Sequence, residues 1–361
     1  MSEAPTVGII GLGIGRAHIR GFQANGCKIT AVCQRDEAGG RRIAERYGIP
    51  GVFTRWQDLI EKARPAIVVI ASPPNLHREI ALAAFAAGAH VLCEKPLAMN
   101  QDEGRAMVEA AAKHKKVAMT CFNWRYPIAM QEMSRRLAQG AIGRVLHVNA
   151  RWYGAAWANP DTKATWRMDA QQAGFGAMGD MGVHLVDLIR SNLGAIARVS
   201  AATGVAYPQR SAPGINRPAD ADDHCSVLAE LESGALVTLN VSRVTHGTNE
   251  HAFEVFGDKG ALCYRLVRSA QRWYEGELRA AEGGAALAPV SLPPLDTKFA
   301  EGDPMEQVGG TLMAALIARL LDGIKTGKSP SPTLEEGLQA QLVLDAIAAS
   351  VAQRGWAEVK R

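Results

Sequence analysis

The segment that decides the fold lies near the start of the chain and reads Val7-Gly8-Ile9-Ile10-Gly11-Leu12-Gly13-Ile14-Gly15-Arg16-Ala17-His18. Its apolar beginning predicts a strand, and the residues after the glycines predict a helix. A strand, a glycine-rich turn and a helix in this order form a phosphate cradle, because glycine lets the backbone approach a pyrophosphate and the helix N-terminus supplies free N–H groups. A glycine turn without a ligand is the alternative.

The spacing of these glycines departs from the G-x-G-x-x-G pattern. Gly15 comes one residue early, and Arg16 holds the third position. Either the loop is one residue shorter than usual or the helix packs around the Arg16 backbone.

The second predicted strand, Lys28 to Cys33, ends before Gln34 and Arg35. An acidic residue at such a strand end binds the ribose 2′-hydroxyl of NAD, whereas a neutral residue with a nearby arginine admits the 2′-phosphate of NADP. Gln34 is neutral, so the position admits NADP without requiring it. Arg35 can equally be a solvated surface residue.

The continuous apolar run 66–71 predicts a parallel strand that is buried on both faces. It leads into Ser72-Pro73-Pro74-Asn75-Leu76-His77 and an alanine-rich helix. His77 either begins this helix with a structural role or lines a cleft at the strand's carboxyl end. Strands that alternate with helices across short loops predict a doubly wound sheet.

The next strand, Ala89 to Cys93, delivers a carboxylate and an ammonium side by side, Glu94 and Lys95. Pro96 follows and resists continuing the strand. Ligands collect outside the carboxyl ends of parallel strands, and lysine suits the handling of a substrate proton because its pKa falls readily when it is desolvated. A surface ion pair that closes the strand is the alternative.

A chain of 361 residues exceeds one ordinary core, and we place a first domain at 1–122 and a second at 123–361. The second has alternating segments that predict an antiparallel sheet, at 196–204, 223–232, 235–244, 251–257 and 260–266. Residues 207–221 and 280–296 predict loops. Two terminal helices, Glu306 to Lys325 and Leu334 to Gln353, can pack back on the first domain. The predicted class is α/β.

The composition favours a soluble protein, with 47% hydrophobic residues, 21% charged residues and a net charge of +4. Basic residues are scattered, so we expect no nucleic-acid partner. No uninterrupted apolar run is long enough to span a membrane, so we expect no membrane association. The six cysteines are widely spaced without a C-x-x-C pair, which predicts reduced core thiols in a cytoplasmic protein and no metal site.

A second group of candidate residues is Asp180, His184 and Asp187, within a glycine-rich segment. Asp180 and His184 are four residues apart and share one face of a helix. Histidine titrates near neutrality, and a carboxylate beside it can orient the imidazole. A helix-face pair without catalytic function is the alternative, but glycines at 174, 176, 179 and 182 suggest close approach to a ligand.

Together these segments resemble the Gfo/Idh/MocA family of oxidoreductases, which includes inositol dehydrogenases and glucose–fructose oxidoreductase. The resemblance rests on the glycine loop with His18, Ser72-Pro73-Pro74-Asn75-x-His77, Gly88-x-His90-Val91-x-Cys93-Glu94-Lys95-Pro96, Trp166-Arg167, Gly179-Asp180-x-Gly182-x-His184-x-x-Asp187 and Pro332-Thr333-x-Glu335-Glu336-Gly337. It implies an N-terminal Rossmann domain that binds NAD or NADP. The C-terminal α+β domain would carry a large, open, mostly antiparallel sheet, with the substrate site on one side and often an oligomer interface on the other.

The resemblance assigns catalysis to Lys95, Asp180 and His184, and it places Arg125 near the substrate with them. We expect Lys95 to hydrogen-bond the hydroxyl of a secondary alcohol while His184 removes its proton, and Asp180 to orient the pair or another hydroxyl. The expected cofactor-binding residues are Gly11, Gly13, Ile14, Gly15, Gln34, Arg35, Ser72, Pro73, Asn75, His77, Glu94, Lys95, Asn123, Trp166 and Arg167.

Aromatic residues suit the apolar faces of sugar rings, and several border the expected site, although core packing is the alternative for each of them. They are Trp124, Trp152, Tyr153, Trp157 and Trp166. We therefore expect a carbohydrate, glycoside or polyol such as a cyclitol as substrate, and a homodimer or homotetramer formed through the C-terminal sheet. The alternatives are an NAD-retaining enzyme that cleaves glycosides by transient oxidation, a non-catalytic sugar or nucleotide sensor, and a cyclic dihydrodiol dehydrogenase.

Overall fold

The computed structural model describes residues 4–210, 218–268, 274–294 and 302–360. The chain divides into two compact units, of which the first comprises Met1–Asn123 and Asp296–Leu338 and the second Trp124–Leu295 and Gln339–Arg361. The sequence-based division assigned all of 123–361 to the second domain. The structure groups 302–338 with the first unit, where the helices of this segment pack on the first helix of the chain, as the expected packing of the terminal helices on the first domain allows.

A six-stranded parallel sheet forms the centre of the first unit, in the order β3-β2-β1-β4-β5-β6. The strands are β1 Thr6–Ile10, β2 Lys28–Cys33, β3 Gly51–Phe53, β4 Ile67–Ile70, β5 His90–Cys93 and β6 Ala118–Thr120. Strand β4 is central, and each of its four side chains is fully buried, which explains its unbroken apolar sequence. The predicted doubly wound sheet is confirmed, and its strand order is that of a dinucleotide-binding fold.

Helices connect these strands, so that all the strands end at the same edge of the sheet. The helices are α1 Gly15–Ala24, α2 Glu37–Tyr47, α3 Trp56–Asp58, α4 His77–Ala86 and α5 Gln101–Lys113. Asn100 caps α5, since its side chain accepts a hydrogen bond from the Glu103 N–H at 3.0 Å. The loops that follow β1, β2, β4, β5 and β6 therefore meet at the carboxyl edge.

The second unit contains a nine-stranded sheet, in the order β14-β13-β12-β11-β7-β10-β9-β8-β15. The strands are β7 Val145–Tyr153, β8 Ile196–Gly204, β9 His224–Leu231, β10 Leu236–Ser242, β11 Glu250–Gly257, β12 Gly260–Val267, β13 Glu277–Glu282, β14 Ala288–Pro289 and β15 Ala357–Glu358. All neighbouring pairs are antiparallel except β7 and β10. The prediction of a large, mostly antiparallel sheet is confirmed.

Helices of the second unit pack on this sheet. They are α6 Ile128–Ala138, α7 Ala170–Ala173 and α8 Val183–Leu193. A π-helical turn, Met178–Gly182, runs directly into α8 and packs with it on β7, and the turn also packs on β10.

The five β segments that the alternation predicts correspond to β8 to β12, but the predicted loop at 280–296 contains strand residues. Strand β13 runs to Glu282, and β14 covers Ala288–Pro289. Their alanine-rich sequence has low strand propensity, and pairing of β13 with the edge of β12 decides its conformation. In the predicted loop 207–221, residues 211–217 lie outside the described residues, and the others belong to no helix or strand.

The C-terminal segment forms α9 Pro304–Val308, a π turn at Gly309–Met313, α10 Ala314–Thr326 and α11 Leu334–Gln353. The continuous helix Pro304–Thr326 is the one helix among the described residues that is long and apolar enough to cross a membrane, by length and composition alone. It packs on α1, where Gly21 lies against Ile317 and Gly309 lies against Ala17. The contact with α1 explains why one side of this helix is apolar.

We predict that Gly309→Ala destabilises the protein. An added Cβ would lie 2.5 Å from the Ala17 carbonyl oxygen, which belongs to the backbone of α1 and cannot rotate away. We expect a loss of about 1–3 kcal/mol in the free energy of unfolding, measured by urea denaturation. Gly284→Ala is the matched control because no atom lies within 4 Å of its added Cβ. Equal stability of the two variants would contradict the packing described.

Candidate active site

The loop after β1 begins with a glycine that no other residue can replace without strain. Gly11 has φ +93°, and its N–H donates a hydrogen bond to the Cys33 carbonyl at 2.9 Å. A Cβ at this position would lie 2.3 Å from the carbonyl oxygen of Ala71, at the end of β4. Gly11 therefore allows the ends of three neighbouring strands to approach one another.

The next two glycines have different roles. Gly13 is exposed, and an added Cβ would meet no atom within 4 Å, so its backbone is open to a ligand. Gly15 is the first residue of α1, where a Cβ would lie 3.2 Å from Ile9 Cγ2. A turn, an open approach and a close helix–strand contact are the three tasks of the glycines in a pyrophosphate-binding loop. The structure thus shows a loop that is one residue shorter than usual, with Gly15 in the packing position.

Gln34 follows β2 at the same edge of the sheet. Its N–H donates to the Phe53 carbonyl at 3.0 Å, and its side-chain amide reaches the start of α2 beside Gly39. Arg35 is exposed. Asp36 is also exposed, and its carboxylate lies 3.9 Å from Arg42. The strand-end position thus carries a neutral amide with an arginine next to it.

His77 joins the loops after β4 and β5. The ring is fully buried, its Nε2 lies 2.9 Å from the Ser72 carbonyl oxygen, and its Nδ1 lies 3.0 Å from the Pro96 carbonyl oxygen. Burial lowers its pKa. This histidine therefore positions the two loops, which is the structural role that the sequence allowed, and its contact with the cofactor stays a prediction.

Glu94 lies at the end of β5 and is 5% exposed. His18 of α1 is fully buried, and its Nε2 lies 2.8 Å from Glu94 Oε1. Burial raises the pKa of the Glu94 carboxyl, but the hydrogen bond and charge of His18, with Lys95 and Cys121, outweigh burial and hold the pKa below its usual value. Glu94 is thus a buried carboxylate that is kept ionised next to the half-buried Lys95.

The remaining candidates of the first unit lie at the same edge of the sheet. Asn75 is exposed, Pro73 is half-buried, and Ser72 and Asn123 are buried. The potential ligand atoms of His18, Glu94 and Cys121 lie within 4.8 Å of one another, and all three residues are buried. The absence of a metal site stays a prediction.

In the second unit, Asp180 lies in the π turn before α8. The turn is held by Asp222, whose carboxylate accepts hydrogen bonds from the N–H groups of Gly176 at 2.7 Å and Met178 at 2.8 Å. A Cβ on Gly176 would lie 2.0 Å from the Asp222 carbonyl oxygen. An added Cβ on Gly182 would meet only the flexible Met178 side chain, which can move away. Gly176 therefore serves close packing within the protein, where the sequence suggested close approach to a ligand.

Two arginines contact the Asp180 carboxylate. Arg167 Nε lies 3.7 Å from Asp180 Oδ1, and Arg243 forms an ion pair with the other oxygen. The Arg167 guanidinium stacks over the Trp166 ring at 4.3 Å. Arg167 and Trp166 were expected to bind the cofactor, and the structure brings Arg167 to the predicted catalytic carboxylate.

His184 is 3% exposed and lies among aromatic rings. The Trp152 ring centroid is 5.7 Å away and that of Trp124 is 6.4 Å away. His251 stacks on the Trp152 ring, with a distance of 4.5 Å between the ring centroids. Burial and the charge of Arg268 lower the His251 pKa, which keeps this second histidine neutral. The rings fix the position of the His184 imidazole on α8.

Arg125 was expected to contact the substrate, and the structure shows a structural partner for it. Its Nε donates to Asp187 Oδ2 at 2.7 Å, and a second short contact completes a two-point ion pair. Asp187 is 3% exposed on α8, one turn from His184. Arg125 therefore holds the helix that carries the predicted base.

Sequence reasoning missed four residues of this region. They are Asp222, Arg243, His251 and Arg268. Arg243 and Arg268 directly follow β10 and β12, so a search for charged residues at strand ends could have found them. His251 and Asp222 carried no such signal, because their contacts join segments distant in sequence.

Comparison with known proteins agrees with these two units. A family model described as an oxidoreductase family with an NAD-binding Rossmann fold matches residues 6–122. A second model, described as the GFO/IDH/MocA C-terminal domain, matches residues 130–263.

Several relatives align over most of the chain. A levoglucosan dehydrogenase of Pseudarthrobacter phenanthrenivorans is 29% identical, over 98% of this chain and 97% of the relative. A 1,5-anhydro-D-fructose reductase of Ensifer adhaerens is 29% identical, over 89% and 87%. A solved structure of levoglucosan dehydrogenase in complex with NADH and levoglucosan superposes with a TM-score of 0.87 at 27% identity, covering 99% of this chain and all of that one.

We predict that Gly13→Ala impairs cofactor binding without harming the fold. Its added methyl group would project into the open space that the pyrophosphate of a bound dinucleotide would occupy. We expect the KM for the nicotinamide cofactor to rise by about tenfold or more, which corresponds to about 1.4 kcal/mol. The melting temperature of the free protein should stay unchanged.

Gly11→Ala is the contrasting variant, because its methyl group would clash with the Ala71 backbone. Gly11→Ala should therefore lower the free energy of unfolding, and its effect on cofactor affinity should be the smaller of the two. A Gly13→Ala protein with unchanged cofactor KM would contradict this description of the loop.

We predict that His18→Leu destabilises the protein by about 3 kcal/mol at pH 7, because it leaves the buried Glu94 carboxylate without its hydrogen-bond partner. The stabilising contribution of a carboxyl with a lowered pKa is present above its unfolded value and is lost as the pH falls through its folded value. Urea denaturation should therefore show the difference between wild type and variant holding down to about pH 4.5 and shrinking as the pH falls further.

His18→Gln is the control for this prediction, because its amide can still donate to Glu94. It should recover part of the stability at pH 7. The ion-pair explanation fails if both variants lose the same free energy at every pH.

Proposed function

We propose that this chain, which belongs to the Gfo/Idh/MocA family of oxidoreductases, transfers a hydride between a secondary alcohol of a carbohydrate or polyol and a nicotinamide cofactor. The observation that carries the proposal is the glycine loop at the carboxyl edge of a six-stranded parallel sheet, with Glu94 and Lys95 at the end of a nearby strand. The names of the relatives as carbohydrate dehydrogenases and reductases support this class of substrate.

The residues that would hold the cofactor belong to the first unit. The backbone at Gly11 to Gly15 and the N-terminus of α1 suit a pyrophosphate, and Gln34 suits an adenosine ribose. When bound, the nicotinamide supplies the hydride acceptor or donor. We propose NAD as the physiological cofactor, in keeping with the NADH complexes of the related levoglucosan dehydrogenase.

Lys95 and His184 would share the proton chemistry of the alcohol. The Lys95 ammonium would hydrogen-bond the reacting oxygen and stabilise the negative charge that develops on it. The His184 imidazole would accept the hydroxyl proton, and Asp180 would orient a neighbouring hydroxyl. Glu94 is an ionised carboxylate next to Lys95 and favours the charged form of its ammonium.

We also propose that the protein forms a homodimer or homotetramer through one face of the nine-stranded sheet. Strands β9 and β10 alternate between buried and exposed residues, so one face of the sheet points away from the packed helices. Leu228 and Leu236 lie on that exposed face, 54% and 58% exposed, and Leu236 pairs across the strands with Glu230. Exposed leucines on a broad, regular sheet suit a symmetric contact between two copies.

We predict that Lys95→Ala lowers turnover by about 100-fold or more, because it removes a charged donor from the developing oxyanion. Absorbance at the nicotinamide band, with NAD and NADP against a panel of sugars, glycosides and inositols, measures turnover. Binding of NADH, measured by fluorescence titration, should be largely kept. Lys62→Ala, which removes an exposed lysine of the same unit, is the matched control. Near-normal turnover of Lys95→Ala would reject the proposed role.

We predict that the double variant Leu228→Lys and Leu236→Lys dissociates the oligomer, since two charges would be buried at each copy of the contact. Light scattering after size exclusion should give a multiple of 38.6 kDa for wild type and 38.6 kDa for the variant. Ala112→Lys, at an exposed position of α5 in the first unit, serves for comparison. A wild-type protein that is monomeric at micromolar concentration would contradict the proposal.

A further inference from the structure

A polar cleft of about 470 Å³ opens beside helix α1 in the first unit. It lies between α1, the end of α2 and the beginning of α9. A volume of several hundred Å³ is the size of a site for a small molecule. The lining residues are Arg20, Gln23, Arg46, Tyr47, Gly302 and Glu306. None of them is among the residues that we propose to hold the cofactor.

The cleft is separate from the glycine loop. Helices α1 and α2 both begin at the carboxyl edge of the sheet, after β1 and β2, and run towards the opposite edge. Arg20 lies about 7.5 Å along α1 from its first residue, Gly15. Arg46 and Tyr47 are the last two residues of α2. A ligand of this cleft would therefore lie away from the pyrophosphate that we propose for the loop.

The acidic residue of the cleft is already bound by partners within the protein. Glu306 is 6% exposed, and its Oε1 accepts hydrogen bonds from Arg46 Nη2 at 2.8 Å and from the Tyr47 hydroxyl. Its Oε2 accepts from the Asp303 N–H at 3.2 Å, which completes the cap of α9. Burial, with the hydrogen bond and charge of Glu306, raises the Tyr47 pKa to about 12, so the hydroxyl keeps the proton that it donates. Glu306 and Arg46 therefore form a pair.

Arg20 is the second arginine of the cleft, and it has no such partner. It is half-buried, and its stem packs near Gly309, where an added Cβ would lie 2.8 Å from Arg20 Cβ. Its Nε is buried without a hydrogen-bond acceptor, and no carboxylate of the described residues pairs with its guanidinium. The preceding arginine of this helix face, Arg16, lies 3.6 Å from Asp303. Because a partly buried cation without an anion is costly, a negative group beside Arg20 would be stabilised.

We propose that this cleft binds a small hydroxylated organic acid, with the carboxylate of the acid on Arg20. The planar fork of a guanidinium matches the two oxygens of a carboxylate, and such charge-assisted pairs are stronger than neutral hydrogen bonds. Gln23 presents an amide on the same face of α1, and the Tyr47 oxygen can still accept a hydrogen bond from a hydroxyl. The inference goes beyond the proposed function, because it does not depend on hydride transfer.

A singly charged carboxylate suits the cleft better than a phosphate does. Arg20 supplies one positive charge, and the Glu306 carboxylate lines the same cleft. Repulsion from Glu306 grows with the charge of the incoming group, and a phosphate brings nearly two negative charges at neutral pH. Inorganic phosphate is therefore the comparison arm of the test.

Titration calorimetry on the full chain, without cofactor, tests the proposal. The acids are gluconate and glycerate, and each is matched with the polyol that carries a hydroxymethyl group in place of the carboxylate, glucitol and glycerol. We expect at least one acid to bind about 10- to 100-fold more tightly than its polyol, the range that a charged hydrogen bond supports. The same acid should raise the melting temperature of the protein.

Variants assign this binding to the cleft. Arg20→Gln should lower the affinity for the acid by about tenfold or more and should remove the shift in melting temperature. Arg20→Lys keeps the charge without the fork and should bind with intermediate affinity. Arg105→Gln removes an exposed arginine of α5 and should bind the acid as wild type does. If Arg20→Gln does not fold, as judged by circular dichroism, the loss of affinity in Arg20→Lys gives the same readout.

Lys95→Ala separates the cleft from the proposed active site and should bind the acid as wild type does. Binding that prefers the acid and depends on Arg20 supports the inference, whether or not any sugar is turned over. Equal binding of acid and polyol, a preference for phosphate, or no binding of either acid overturns it. Binding that Arg20→Gln leaves unchanged, or that Lys95→Ala abolishes, also overturns it. Each of these results leaves the proposed hydride transfer to be judged by its own assay.

Discussion

The arrangement of the first unit depends on one close approach, between Gly11 and the carbonyl of Ala71. It is possible only without a side chain, because a Cβ would lie 2.3 Å from the carbonyl oxygen. The contact draws the end of β1 against the end of β4, while the Gly11 N–H bonds to the end of β2. The N-terminus of α1 is thereby fixed at the edge where Glu94 and Lys95 also emerge. The chemistry proposed for this edge follows from that backbone geometry.

The Glu94 carboxylate of the first unit and the Asp180 carboxylate of the second are held by different partners. In the first unit a single buried histidine, His18, keeps Glu94 ionised against the effect of burial. In the second unit Asp180 lies between Arg167 and Arg243, and burial with the charges of Arg268 and Arg167 lowers the Arg243 pKa to about 9. The first arrangement is satisfied within the protein and stabilises the fold. The second holds the carboxylate that we propose to orient a hydroxyl of the substrate.

Both sheets and the glycine loop could be predicted from the sequence, because local patterns of residues determine them. Alternating and continuous apolar runs predicted both sheets, and glycines after a strand predicted the loop. Residue roles that depend on tertiary contacts were harder to predict. The sequence allowed His77 either a structural role or a place in the cleft, and only the folded chain shows its two nitrogens within hydrogen-bond distance of backbone carbonyls of two loops. Gly176 suggested a ligand, but it packs against Asp222 from 46 residues further along the chain.

The central claim is net hydride transfer from a sugar to a dissociable cofactor, and isotope transfer tests it most directly. The protein is incubated with NAD and a sugar that carries deuterium at every carbon, and both products are analysed by mass spectrometry. The account predicts one deuterium atom in each NADH released and one keto-sugar for each NADH. Cleavage of a glycosidic bond with no free NADH, and with deuterium retained in the product sugar, would contradict it.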